Sequence, residues 1–243
     1  MSHLEQVEFF TAVADVNEAV IARARVLEIG SYNVNGSIRD LFSSATHYTG
    51  VDLTEGPGVD LVGYGHELDL PDGSFDITLS GECFEHDQHW RDTFTNMVRM
   101  TKPGGLVVFT CASRGRLEHG TTRSVEASSP GTRAVGLDYY RNLNTDDFQA
   151  LPLASMFSKY RFWYQPTHFD LYFAGIKLGD SVAQLPGDAA VERLRHLMPL
   201  RKRVVHAVMR TLARVLPQRH YQALMIRIKH IMNSLPWTTR PSK

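Results

Sequence analysis

A chain of 243 residues with 26 basic and 26 acidic side chains has room for one α/β domain and an appendage rather than two full domains. Two cysteines, Cys83 and Cys111, are too few for a disulfide framework or a structural zinc site and read as reduced apolar fillers. No apolar run reaches bilayer-spanning length, and the opening MSHLEQVEFF is acidic rather than basic and apolar, which speaks against a signal peptide and predicts a cytoplasmic protein.

Leu4 to Ala24 sets Leu4, Val7, Phe10, Val13, Val20 and Ile21 on one helical face, a helix suited to cover a sheet or a cofactor pocket. Arg25 to Ile29 is a short apolar run ending at Gly30, a buried strand entering a tight turn. Ile38, Leu41 and Phe42 at helical spacing predict a helix, and His47 to Val51 predicts a second strand that ends in Asp52. Strand, glycine turn, helix and strand make a nucleotide-binding βαβ unit. Its ligand is expected over the carboxyl ends of the strands, with Asp52 placed to meet a pair of ribose hydroxyls. TEGPG at 54–58 is turn chemistry, Val59 to Val62 a third strand and Asp76 to Ser80 a fourth. A helix over Trp90 to Thr101 stops at Lys102, Pro103, Gly104 and Gly105, and Leu106 to Cys111 is a strand apolar on both faces.

Ala112 to Asn144 is polar and too long for a simple connection, as lids and binding loops are. Its Arg114, Arg116, Glu118, His119, Arg123, Arg133, Tyr139, Tyr140 and Arg141 suit a polar or anionic acceptor such as a sugar or a sugar phosphate. Thr145 reads as the N-cap of a short helix. Tyr160 to Tyr164 and Asp170 to Lys177 read as an antiparallel strand pair with His168 as a surface residue of the turn between them. The neutral total hides an asymmetry: from Ala190 onward Arg and Lys recur up to Arg240 and Lys243, against Glu192 alone. Val204, Val205, Val208, Leu212 and Val215 face Arg203, His206, Arg210 and Arg214 across one helix, and Tyr221 to Met232 repeats the character. Basic amphipathic helices of this kind are read as a peripheral contact with the inner membrane surface or as a homodimer contact.

Glu28, Gly30 and Gly36, then Asp52, PDGSFD at 71–76 and KPGGLVVFT at 102–110, in this order and spacing, resemble the class I S-adenosylmethionine (SAM)-dependent methyltransferases of the type 11 kind, over roughly Arg25 to Cys111. The resemblance implies an α/β fold, a Rossmann-like seven-stranded mostly parallel sheet with helices on both faces. We expect a methyltransferase domain over 1–180 and a basic helical extension over 181–243. It also implies SAM as cofactor, held by Glu28, Gly30, Ser31, Gly36, Asp52, Leu53, Tyr64, His66 and Glu82. Two departures stand out. The usual second and third glycines of the first motif fall on Tyr32 and Val34, which hinders a pyrophosphate but not SAM, a ligand without phosphate. The acid that usually meets the adenine amino group falls on Tyr64, leaving adenine to backbone, to stacking on Tyr64, or to His66 or Glu67.

The stretch GECFEHDQHW after the fourth strand puts Glu82, Glu85, His86, Asp87 and His89 near the ligand. Methyl transfer is an in-line displacement, so the protein must position the acceptor and, for a hydroxyl, remove its proton. His86 is the first candidate base and His89 the second; the neighbouring acids equally suit the start of a helix. Glu85, Asp87 and His89 have no strict ligand spacing, and no metal is expected. The expected reaction is methylation of a small polar acceptor, a hydroxyl of a sugar or glycan precursor. An inactive SAM-fold scaffold and an RNA methyltransferase are the alternatives. No RNA-binding module appears, and no specific nucleic-acid partner is expected.

Overall fold

The computed structural model describes residues 3–234; Arg240 and Lys243 of the basic tail lie outside the described residues. Seven strands, β1 (Arg25–Ile29), β2 (His47–Asp52), β3 (Leu61–Val62), β4 (Phe75–Gly81), β5 (Thr101–Ala112), β6 (Phe157–Gln165) and β7 (Asp170–Lys177), form one sheet in the order β3-β2-β1-β4-β5-β7-β6. β1 to β5 pair in parallel, while β7 runs antiparallel to both β5 and β6. This is the expected Rossmann-like, mostly parallel sheet.

Period-two alternation sorts the strand residues between two cores. Leu27, Val107, Phe109 and Phe173 pack with Phe94 and Met97 of α3 (Trp90–Met100) on one face. Val26, Leu106, Val108 and Tyr172 pack with Phe9, Phe10 and Val13 on the other. Those last three belong to α1 (Leu4–Asp15), which is followed by the single turn α2 (Glu18–Ile21). The chain between β5 and β6 holds α4 (Pro130–Ala134), α5 (Thr145–Gln149) and α6 (Leu153–Met156); after β7 come α7 (Asp188–Arg193), α8 (Leu200–Val215) and α9 (Gln218–Ser234). Val191 of α7 and the adjoining Leu194 join the core under α1, so the start of the extension shares the domain's interior. Among the described residues no helix is long and apolar enough to cross a membrane.

Several expectations need correction. The first helix ends at Asp15 rather than Ala24, because Asn17 turns its amide onto the Val13 carbonyl at 2.8 Å and onto the Gln184 backbone, competing with the helix ladder. The helix expected after Gly30 is only a 3-10 turn, Arg39–Phe42; Asn33 accepts from the Gly36 amide and Ser37 from the Arg39 amide, so local side-chain bonds occupy the backbone that a helix would need. β3 starts at Leu61, since the Asp60 carboxylate takes the Gly50 amide and holds the residues before it in a turn. β5 starts at Thr101, and the Lys102–Gly105 turn lies within it as an irregularity against β4. Asn144, not Thr145, caps α5, in a capping box with Asp147. β6 reaches from Phe157 to Gln165, longer than the alternation suggested.

The amphipathic α8 docks in an unexpected sense. His206 hydrogen-bonds the Thr167 carbonyl and stacks on Phe169, and the Arg203–His206–Arg210 side faces the domain. Val204, Val205, Val208 and Val215 on the opposite side are 58–75% exposed. α9 follows and anchors by Tyr221, whose hydroxyl donates to the Gly115 carbonyl, and by Gln222, which binds the Glu118 amide and the Arg116 carbonyl.

Candidate active site

Parallel strands present their carboxyl ends on one side of the sheet, and the connections leave in opposite directions on either side of the β1–β4 boundary. A cavity of about 320 Å³ opens there, within the usual range of small-molecule sites. Its wall combines Ile29 and Gly30 at the end of β1, Val51, Asp52 and Leu53 at the end of β2, Tyr64 to Glu67, and Gly81 to Cys83 at the end of β4; His86 to His89 and the loop segment 128–132 also line it.

Gly30 has φ +83° and packs so closely that a Cβ would lie 2.6 Å from that of Cys83, which makes glycine obligatory at this turn. The Gly30 and Ser31 amides both donate to the Val51 carbonyl, tying the turn to the end of β2. Asp52 Oδ2 accepts from the Tyr32 amide at 2.9 Å and Oδ1 from the Leu53 amide at 2.7 Å, which aims the carboxylate across the cavity with lone pairs to spare. Burial raises its pKa against those two hydrogen bonds. The lid rests on the same carboxylate: a Cβ at Gly131 of α4 would lie 2.3 Å from Asp52 Oδ1.

Of the predicted cofactor residues, Gly30, Asp52, Leu53, Tyr64, His66 and Glu82 line this cavity together. Glu28, Ser31 and Gly36 line a smaller recess of about 40 Å³ beside it. Glu28 is buried and accepts from the Tyr48 hydroxyl at 2.7 Å; desolvation pushes its pKa up to about 7 despite that bond. Tyr32 and Val34, the replaced glycines, line both spaces. His66 lies between Tyr64, edge-on at 5.7 Å, and His89, stacked at 4.1 Å.

The two candidate bases differ sharply. His89 stands at the rim with its side chain 57% exposed. His86 is buried, its pKa is lowered to about 3 by desolvation, and it keeps a hydrogen bond to the Tyr139 backbone. Its Nδ1 has no partner, and the ring groups with Glu85 and His119, ligand atoms of the three lying within 4.8 Å of one another. Glu85 is fully buried, with its carboxyl pushed up to about 8 by desolvation, and His119 is held well below the ordinary imidazole value by burial.

Two expectations are corrected, one in the lid and one between β6 and β7. None of the lid arginines lines the cavity: Arg116 pairs with Asp170 and Glu82, Arg123 with Glu118, Arg133 with Glu126 and Asp138, and Arg141 with Asp147. Ser128, Ser129 and Thr132 line it instead, contributed by the run SSPGT to which the sequence motifs do not point. His168 is not a simple surface residue; it stacks on His3 at 4.1 Å and lies 3.1 Å from Glu5. These belong to a second buried cluster in which His3 meets Asp170 at 2.7 Å and Arg116 lies between Asp170 and Glu82.

Comparison with known proteins agrees with the motif resemblance. The family model described as "Methyltransferase domain" matches residues 15–109. An uncharacterized methyltransferase of Mycobacterium bovis is 44% identical over 62 residues, which is 26% of this chain and 24% of that protein, so the match spans about a quarter of the relative's length. Among solved structures, the 1,6-didemethyltoxoflavin-N1-methyltransferase of Burkholderia thailandensis is 20% identical, with 69% of this chain and 76% of that one covered at a TM-score of 0.48. The phosphoethanolamine N-methyltransferase 2 of Haemonchus contortus is 17% identical, covering 64% and 49% at a TM-score of 0.47.

Proposed function

We propose that this chain, which carries a methyltransferase domain over residues 15–109, is a SAM-dependent methyltransferase acting on a hydroxyl of a small neutral acceptor such as a sugar or glycan precursor. The observation that carries the reading is the cavity at the β1–β4 boundary, with the Asp52 carboxylate facing it from the end of β2 and the lid closing over it. SAM supplies, when bound, a methyl group already activated by its sulfonium.

The chain's own residues position and deprotonate. Asp52 takes the ribose hydroxyls, the Gly30–Ser31 turn and Glu82 flank the amino-acid end, and Tyr64, His66 and Leu53 surround the base; Glu28 and Gly36 support the turn from the adjoining recess. With every lid arginine but Arg114 in an ion pair and lid hydroxyls in the wall, a neutral hydroxylated acceptor fits better than a phosphorylated one. His89, exposed at the rim, takes the acceptor proton. His86, with one ring nitrogen bound to backbone and the other turned inward, holds the wall in place.

We assign 1–180 to the catalytic unit and 181–243 to an extension. The outward Val204, Val205, Val208 and Val215, with Arg201 and Lys202 alongside, favour a peripheral contact with an anionic membrane surface; vesicle flotation against sedimentation of the free protein separates this from a homodimer.

Calorimetric titration with SAM and with S-adenosylhomocysteine tests the reading. Saturable binding, weakened at least tenfold by Asp52→Ala, is expected. No binding of either at millimolar concentration would sink it in favour of an inactive scaffold, and salt-dependent RNA binding would move it to the nucleic-acid alternative.

A further inference from the structure

We propose that Glu85, His86 and His119 form a binding site for one divalent transition-metal ion behind the cavity wall. The three residues offer a carboxylate oxygen and two imidazole nitrogens that lie within 4.8 Å of one another. All three side chains are buried, with residue exposures of 0%, 5% and 8%. Neither Glu85 oxygen, His86 Nδ1 nor His119 Nε2 has a well-formed hydrogen bond, the Glu85 carboxylate having only its own backbone amide nearby as a weak donor. One unpartnered polar atom from each of three residues, converging in one buried place, calls for an occupant, because an unpaired buried polar group is costly.

The hydrogen bonds behind these atoms are those of metal ligands. His119 Nδ1 lies 3.0 Å from the Leu117 carbonyl, an arrangement that keeps the proton on Nδ1 and leaves the lone pair on Nε2. His86 makes its backbone bond to Tyr139, and with Nδ1 unpartnered that bond falls to Nε2, leaving the Nδ1 lone pair inward. Each imidazole is thus fixed in the tautomer that presents a bare nitrogen to the carboxylate. A proton shared between Glu85 and His119 does not explain the arrangement, since their nearest atoms are 4.0 Å apart, beyond hydrogen-bond reach. Metal distances of about 2.0–2.2 Å require ligand atoms roughly 3.0–3.5 Å apart, so modest side-chain closure completes the site.

Two nitrogens and one carboxylate select zinc, cobalt or iron over magnesium or calcium, and three protein ligands leave a position open. Of the two other groupings, both around His3, the one with Glu82 and Asp170 already contains the Arg116 guanidinium as its cation, and in the one with His168 both imidazoles lie against Glu5. An ion at Glu85, His86 and His119 would join the loop after β4 to the loop after β5 at the root of the lid. Gly120 shows how closely these loops approach: a Cβ there would lie 2.8 Å from His86 Cε1.

The test needs neither SAM nor an acceptor. The full chain, stripped with a chelator, is titrated with Co²⁺ and with Zn²⁺, following heat and the visible absorption of cobalt. One ion per chain is expected. Glu85→Gln and His119→Ala should each weaken it by more than the 10–100-fold that loss of an outer-shell partner costs, while His168→Ala leaves it unchanged. X-ray absorption of the zinc-loaded wild type should show two imidazoles among the ligands, which keeps the test decisive if a variant misfolds. No saturable binding to the folded chain, binding that survives both substitutions, or an all-oxygen shell would overturn the proposal.

Discussion

Glu82 and Glu85 leave the same loop three residues apart, both buried, and meet opposite surroundings. Glu82 lies 3.6 Å from Arg116, which also holds Asp170 at 3.2 Å; Asp170 in turn meets His3 at 2.7 Å, and His3 and His168 share Glu5. Each acid there lies within 4 Å of an arginine or a histidine, which ties the N-terminal turn, the loop after β4, the loop after β5 and the start of β7 into one corner. Among the described residues, the one ionisable group paired with Glu85 within 4 Å is His119 at 4.0 Å, which burial keeps neutral. A compensated cluster serves the fold; an uncompensated one of equal burial awaits a ligand.

The largest effect should come from breaking the compensated side. Arg116→Met leaves Glu82 buried without its cation and Asp170 with His3 alone, and should cost about 3–5 kcal/mol, read from urea unfolding. A loss below about 1 kcal/mol would mean the corner is wetter than its burial suggests. The next effect is in pH. Desolvation opposes protonation of His3, but its bonds to Asp170 and Glu5 prevail and raise its pKa to about 9. A raised histidine contributes stability that is complete below its unfolded pKa and fades as pH climbs from about 6.5 to about 9, by at most about 3 kcal/mol. His3→Ala should flatten the stability profile across that window; an unchanged slope would remove His3 as its source.

The lid lies between the two clusters, since its loop starts near Arg116 and His119 and returns to Asp52. Gly131→Ala would press a methyl group onto Asp52 Oδ1. Affinity for S-adenosylhomocysteine should fall about tenfold, or about 1.4 kcal/mol, with the unfolding midpoint nearly unchanged. Unaltered affinity would show that the lid does not need this approach to close over the ligand.

The cavity's older half was legible because its residues follow strand ends directly: Gly30 after β1, Asp52 after β2 and Glu82 after β4 need only the strand pattern to be placed. The other half depends on return paths that local pattern does not encode. His119 reaches Glu85 and His86 from 34 and 33 residues away, on the far side of α3 and β5 and in a loop stretch with no periodicity of its own, and Ser128 to Thr132 cross back over Asp52. The lid arginines misled for a related reason. Sequence displays their charge but not their partners, which are spread over other elements, as Asp147 of α5 is for Arg141 and Asp170 of β7 for Arg116. The amphipathic stripe of α8 was visible, yet which side would dock was not, because His206 and Phe169 decide it.

The smallest stability effect sharpens the opening contrast most. Glu85→Gln keeps the shape of the side chain and removes its capacity to ionise. No cation loses a partner by the change, so the cost that follows removal of one member of a buried pair does not arise. The new amide is no worse satisfied than the carboxyl it replaces, both of whose oxygens are already orphaned. Unfolding free energy in metal-free buffer should therefore move by less than about 1 kcal/mol in either direction. Glu82→Gln in the same buffer should cost more, because Arg116 would keep Asp170 alone. Equal losses for the two variants would mean that Glu85 has a counter-charge in solution, and the distinction between the clusters would fail.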